Sequence, residues 1–312
     1  MIIENLNKYS EEQIASLECN DNLIRLIIQE QPDRHKLELL KRYAIKENTA
    51  IQLCLCAVDN NLVNFDIFEC LSENVVVLES YNRKSTLVSI AGISIFGNLK
   101  ELVISDLYDS KLNLEELVSL KYLQSFSLKF NCNLHNSQYD AINRLYSLKK
   151  LEVKGLNSIL LDKLPNMESL ICHNLKDGTQ LGYKMPNLKS IFIYKSQQIR
   201  DLNFLLDMKI IQCICLDGLS NLSLMPDLIS LSNLRRIGIC NMKRLEQIPM
   251  LNYELESLDV EKNTPLLGVD SFRYVTPINL PNLKWIRINL GNDTKSNMIL
   301  DRFNNICKTT RW

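Results

Sequence analysis

The sequence predicts an α/β solenoid: a stack of short repeats whose strands form a parallel sheet on the concave face, with a helical N-terminal cap and a C-terminal capping helix. Three observations carry this. A hexamer with apolar residues at positions one, four and six occurs nine times between residues 99 and 288. Its copies begin 24, 25, 19, 21, 23, 23, 21 and 28 residues apart. Residues 1–80 and 295–312 lack this series and carry helix signals instead.

The hexamers are "LKELVI" from Leu99, "LQSFSL" from Leu123, "LKKLEV" from Leu148, "MESLIC" from Met167 and "LKSIFI" from Leu188. "IQCICL" from Ile211, "LRRIGI" from Leu234, "LESLDV" from Leu255 and "LKWIRI" from Leu283 complete the series. Their lead-ins repeat as well, as in "PNLK" at Pro186 and Pro281, "PNME" at Pro165 and "SNLR" at Ser232. In residues 232–249 the apolar positions Leu234, Ile237 and Ile239 are followed by Met242, Leu245 and Ile248. That spacing fits neither a helical period nor strand alternation. It fits a short strand pointing into a core, followed by a return path that lines the same core. One such unit cannot bury its apolar side, so neighbours must stack.

From about residue 85 to about residue 295 the sequence resembles the leucine-rich-repeat family, whose repeats are of this length. The ninth position, where many members carry Asn, here holds Leu107, Asn131, Leu156, Leu175, Ser196, Leu219, Met242, Asn263 and Gly291. With only two asparagines, packing rather than an asparagine ladder is expected to hold the turn. Residues 81–294 are read as the repeats, with a degenerate tenth between Tyr81 and Gly97.

The ends are read as caps. Ser10 and Gln13 form a capping box before "IASLECNDNLIRLIIQEQ". Pro32-Asp33 starts a second helix with Leu37, Leu40 and Tyr43 on one face. "TAIQLCLCAVDNNL" is a third helical candidate. Residues 1–80 are thus a helical cap or a small interaction domain. The tail 295–312 reads as one helix with Ile299, Phe303 and Ile306 against the last repeat, and Trp312 beside them, which leaves no room for a catalytic domain after the repeats.

Composition narrows the function. Lys+Arg and Asp+Glu are 36 each, so the chain as a whole has no pull on nucleic acid or anionic lipid. No basic, then apolar, leader opens the sequence, and no run of 18 apolar residues occurs in it. The ten cysteines sit singly in apolar runs and read as reduced thiols of a cytoplasmic protein.

Catalytic and cofactor signals are missing. There is no phosphate-binding glycine loop, no H-E-x-x-H and no C-x-x-C. Cys54 and Cys56 fall on a predicted helix and face different ways. Cys213 and Cys215, with Cys240 and His173, read either as a thiol or metal cluster or, more simply, as small apolar filler. "HNSQYD" (His135 to Asp140) places a His, a Ser and an Asp together, but in a connecting segment. Cys307 lies on the short terminal helix and not in a fused ligase domain. No enzyme and no cofactor is expected.

The repeat geometry nominates a surface instead, because positions three, five and seven of each unit point out of the sheet. These columns hold Lys129, Lys150 and Lys154 toward the N-terminal side and Ile171, His173, Phe192 and Tyr194 in the middle. Asp217, Arg236, Asp259 and Glu261 lie toward the C-terminal side, with Trp285 and Arg287 as a second anchor. An aromatic centre between basic and acidic flanks suits one protein ligand, and the alternative is a solvated sheet face.

The resemblance implies a non-enzymatic protein-binding module, monomeric on its own. The abundance of Asn, Ile and Lys suits an AT-rich microbial genome, and the narrowest expectation is an immunity protein that occludes a cognate bacterial toxin. A cytosolic adaptor or regulatory subunit fits the same features, and an effector with activity in the N-terminal helices is a more distant alternative.

Overall fold

The computed structural model describes residues 1–18, 22–56, 65–81, 86–87, 89–105, 107–108, 110–129, 132–261, 263–304 and 306–310. It contains two compact units, Met1–Val153 and Lys154–Trp312.

The strands of the first unit are β1 (Ile2–Glu4), β2 (Leu23–Ile28), β3 (Ala50–Leu55), β4 (Val75–Ser80), β5 (Thr86–Leu87), β6 (Glu101–Ile104), β7 (Leu107–Tyr108), β8 (Ser125–Leu128) and β9 (Lys150–Lys154). Its main sheet is parallel in the order β1-β2-β3-β4-β6-β8-β9, and β5 and β7 form a separate two-stranded parallel ladder. In the second unit, β10 (Ser169–His173), β11 (Ser190–Tyr194), β12 (Cys213–Asp217), β13 (Arg236–Cys240), β14 (Ser257–Val260), β15 (Trp285–Ile288) and β16 (Lys308–Thr310) pair parallel in chain order.

One register position organises each core. In the first unit Ile3, Leu26, Leu53, Leu78, Leu102, Phe126 and Leu151 are cross-strand partners in sequence. In the second unit Leu170, Ile191, Ile214, Ile237, Leu258 and Ile286 do the same. None of these is more than 2% exposed. Each side chain between the first and last strands of its ladder is covered by the repeats before and after it, so truncating one costs the transfer term plus a cavity, about 2–5 kcal/mol. In residues 232–249, Leu234, Ile237, Ile239, Met242, Leu245 and Ile248 are all buried, as a strand with a core-lining return path requires.

The return paths carry helical turns, among them α1 (Glu11–Ala15), α2 (Arg34–Tyr43), α3 (Asn136–Ile142), α4 (Leu181–Lys184) and α5 (Asp293–Leu300). Adjacent returns pack closely. A Cβ on Gly178 would lie 2.7 Å from the Phe204 ring, so the absence of a side chain there lets the ring seat. No helix of the described residues is long and apolar enough to cross a membrane.

Two hydrogen-bond ladders hold the turns. In the second unit, Gly155, Asn174, Lys195, Gly218 and Asn241 follow their strands with φ between 48° and 75°. Gly and Asn tolerate this left-handed backbone best. It aims the amide at the neighbouring repeat: Gly155 donates to the His173 carbonyl (2.7 Å), Asn174 to Tyr194 (2.8 Å), Lys195 to Asp217 (2.7 Å) and Gly218 to Cys240 (3.0 Å). At the ninth position Leu156, Leu175, Leu219 and Met242 are fully buried. Ser196 at this position accepts from the Leu175 amide (2.8 Å), which is side-chain support for the turn without an asparagine.

The second ladder uses the residue just before several of the hexamers. The side-chain amides of Asn98, Asn187, Asn233 and Asn282 donate to the carbonyls of Glu73, Pro165, Lys209 and Tyr253. Ser147 makes the same bond to Lys121 with its hydroxyl. The recurring "NL" of the lead-ins is therefore an inter-repeat clasp.

The N-terminal region differs from the expected helical cap. The capping box of Ser10 and Gln13 forms, but α1 ends at Ala15, and Leu23–Ile28 is a strand. Ala50–Leu55 of the third expected helix is a strand as well. Of the three helices only α2 extends as expected, capped by Asp33 with Leu37 and Leu40 buried, while Tyr43 is exposed. The reason is burial: Leu26 and Leu53 lie in the register ladder, where extended backbone satisfies amides that helices would otherwise pair internally. The expected degenerate repeat near Tyr81 begins earlier, with β4.

At the other end, α5 is followed by a 3-10 turn and then by β16 instead of a continuous helix. Ile299 and Phe303 are buried as expected, whereas Ile306 is exposed. Residues 57–62 of the third helical candidate, Asn131 and Trp312 lie outside the described residues.

Replacing Asn187 by Ala removes one clasp at an exposed site and should lower stability by about 1 kcal/mol, measured as a shift of the urea midpoint at unchanged slope.

Candidate binding face

Alternation along the strands sends the fourth and sixth hexamer residues inward and the third, fifth and seventh outward. Strand registry then sets the outward residues of each unit in rows.

In the first unit Lys129 and Lys150 stand on this face. Lys129 is 3.8 Å from the Glu152 carboxylate, which also accepts from the Ser127 hydroxyl at 2.6 Å. Lys150 is exposed. Further along, Cys54 is on a strand and not on the expected helix. Its thiol donates to Glu79 (3.1 Å) and accepts from Arg25 Nε (3.4 Å), and burial pushes it up to about 11.

In the second unit the structure assembles most of the expected residues. Ile171 pairs in register with Phe192, and His173 with Tyr194. The His173 and Tyr194 rings stack at 4.9 Å with 20° between planes. The row continues from Phe192 to Cys215 and then to Gly238, whose added Cβ would meet only the Cys215 sulfur, at 3.6 Å. Gly238 thus leaves a notch beside the aromatic cluster. Lys154 is half-buried at the start of this unit, and Arg236 is exposed.

The acidic flank is largely tied up internally. Arg287 donates through Nε to Asp259 (2.7 Å), and its terminal nitrogen contacts both Asp259 and Glu261. Its guanidinium also lies 5.3 Å from the centre of the Trp285 ring, and Trp285 Nε1 donates to the Thr310 hydroxyl (3.0 Å). These two residues, expected as an anchor for a ligand, therefore also brace β14, β15 and β16. Asp217 accepts from the Asn241 amide at 2.6 Å, and Asn263 continues that chain to Asn241 at 2.7 Å. Sequence alone does not reveal these pairs, because each spans a whole repeat.

Cys213 and Cys215 share the outward side of β12, with Cys240 beyond Gly238 on β13. Among the described residues no group of three or more His, Cys, Asp or Glu side chains is placed to hold a metal ion. Burial pushes Cys215 up to about 11 and Cys240 up to about 12, the latter also beside Glu261. "HNSQYD" has a structural role: His135 caps α3 in a capping box with Gln138. Cys307 precedes β16 and does not lie on a helix.

Raised values keep these thiols protonated, and the thiolate is the nucleophile. Cys215 and Cys240 should resist Ellman's reagent at about pH 8 in the folded protein and react at once in urea. Folded-state labelling should accelerate as the pH climbs toward about 11, followed residue by residue by mass spectrometry.

No family model matches the chain, and no curated protein does. Among solved structures it is similar to an internalin (inlF) of Listeria monocytogenes, with TM-score 0.52 and 17% identity over 97% of this chain and 91% of that one. It is similar also to TLR13 in a complex with ssRNA13, with TM-score 0.57 and 17% identity over 91% of this chain and 48% of that one. The chain therefore spans about half the length of that TLR13 chain. A leucine-rich-repeat protein of Leptospira interrogans aligns over 99% of both chains at 15% identity and TM-score 0.40. The recurring hexamer, the parallel ladder of buried strands and the likeness to internalin and TLR13 lead to one conclusion: this chain has the leucine-rich-repeat solenoid fold.

Proposed function

We propose that the protein is a binding module that takes one protein ligand on the outward sheet face of its second unit. The observation that carries this reading is the cluster of Ile171, Phe192, His173 and Tyr194, half-buried side by side on a rigid parallel sheet with the Gly238 notch beside it. Aromatic groups held in this way contribute most of the energy in protein interfaces, since little side-chain freedom is left to lose on binding. Arg287, Asp259 and Glu261 are engaged with one another, which favours recognition over turnover.

In its narrowest form the role is that of an immunity protein covering the active surface of a cognate bacterial toxin. Such blockade needs only a stable, shape-matched face and no chemistry of its own. The free thiols among the described residues suit a reducing, cytoplasmic setting. TLR13 was solved with a single-stranded RNA. The equal numbers of basic and acidic residues in this chain favour a protein over a polyanion.

The test is affinity capture from the native cell's lysate with wild type beside a Phe192→Asp/Tyr194→Asp variant whose circular dichroism is unchanged. Wild type is expected to retain one protein stoichiometrically, and the variant to lose it by at least about a hundredfold, as for a desolvated aromatic hot spot. Inhibition of that protein's enzymatic activity by the purified chain would identify a toxin target. Equal capture by both proteins would rule out this face.

A further inference from the structure

Resting on that reading, we infer that the part of the ligand entering beside Phe192 is an acidic segment of a protein, its carboxylate held by Arg235 and Arg236. Charge is distributed unevenly along the strands of the second unit. The strand ends carry Asp217, Asp259 and Glu261 together with Lys154, Lys195 and Arg287, whereas the strand starts carry Lys189, Arg235, Arg236 and Lys284 against Glu168 and Glu256, so the net positive charge lies at the starts. A groove of about 480 Å³ runs over those starts, with Phe192, Ser190 and Cys213 lining it beside the two arginines.

Internal pairing leaves this groove positive. Two carboxylates line it, Glu168 and Glu256. Glu168 is bound by Lys189 at 2.8 Å and Glu256 by Lys284 at 2.9 Å, so each already has a lysine partner. Arg235 is steadied by backbone carbonyls: its guanidinium donates to Ser232 (2.7 Å) and Leu234 (3.3 Å), and neither bond neutralises its charge. The Arg236 side chain is exposed and makes no hydrogen bond or close ion pair among the described residues, although its charge, with that of Arg235, adds to the Lys284 bond in holding the Glu256 carboxyl below its usual range. Arg236 stands in register with Cys213 on the neighbouring strand and, through Cys213, with Ser190 two strands away, and it lines the groove together with Phe192.

Two adjacent guanidiniums, one held by backbone carbonyls and one with its donors open, offer forks that match a carboxylate. Phe192 supplies an apolar wall for the stem of a Glu or for a neighbouring apolar residue. At the opposite strand ends Arg287 already engages Asp259 and Glu261, so the positive charge open to an acidic segment lies at the strand starts.

The probes are a phage-displayed library of random dodecapeptides and a single-stranded oligouridylate, each presented to the immobilised full chain. The expected result is enrichment of peptides that share Asp or Glu next to an apolar residue. Their affinity should fall about tenfold or more in Arg236→Glu and by less in Arg236→Ala. It should also weaken as salt is raised. Arg236 is exposed, and unchanged circular dichroism of both variants shows that the fold is retained.

Enriched peptides without acidic residues, lost in Phe192→Asp/Tyr194→Asp, would overturn the acidic inference and leave the binding face standing. Peptides indifferent to all variants would overturn both. Oligouridylate binding that depends on Arg236 would overturn the protein ligand in favour of a nucleic acid. Failure to enrich any peptide would overturn the claim that an acidic segment is recognised here.

Discussion

No repeat of this chain can bury its own apolar stripe, and the structure depends on that constraint. A strand of four to six residues with two or three inward side chains has water on both sides until a neighbour covers it. The register ladders, from Ile3 to Leu151 and from Leu170 to Ile286, are how that covering is done within each unit. The rest follows. Strands must be parallel because each returns by the same route. Returns must be thin enough to stack, which is why short helical turns prevail and why Gly178 faces the Phe204 ring. Turns must satisfy their amides against the next repeat, as Gly155, Asn174, Lys195 and Gly218 do.

The same stacking that makes a core also makes a face. Outward side chains of neighbouring strands are close enough to pair, and most charged ones do so, as with Arg287 against Asp259 and Glu261 and Lys129 against Glu152. Each such pair contributes little stability by itself at a partly exposed site. Their larger effect is on recognition, because a charge with an internal partner attracts a ligand less. The Phe192 and Tyr194 region and the guanidinium of Arg236 then stand out from a neutralised background.

The repeats were legible because inward residues at alternate positions, recurring every 19 to 28 residues, are the pattern of a stacked solenoid and of little else. The first strands were less legible for particular reasons. "LIRLII" from Leu23 fits the hexamer, but Leu23 itself is exposed and the neighbouring Ile24 is buried, and apolar residues at every position except Arg25 blur the alternation. "AIQLCL" begins with Ala50, and "VVVLES" places Ser80 where an apolar residue is expected. Nearby helix signals were genuine, yet they belong to return paths: the Ser10 cap starts α1 and Asp33 starts α2. Short apolar runs do not separate strand from helix by periodicity alone. On the face, the columns could be read from alternation, whereas pairs such as Asn187 with Pro165 or Arg287 with Glu261 depend on cross-repeat register.

The central claim, that a register ladder organises the N-terminal strands of the first unit just as another organises the strands of the second, is tested most directly in solution. Methyl-labelled protein should show a nuclear Overhauser contact between Leu26 and Leu53, which are cross-strand partners. A similar contact should join Leu53 and Leu78. Strong contacts of this kind are the predicted result. Their absence, together with the sequential amide contacts of a helix through residues 23–28 or 50–55, would contradict it.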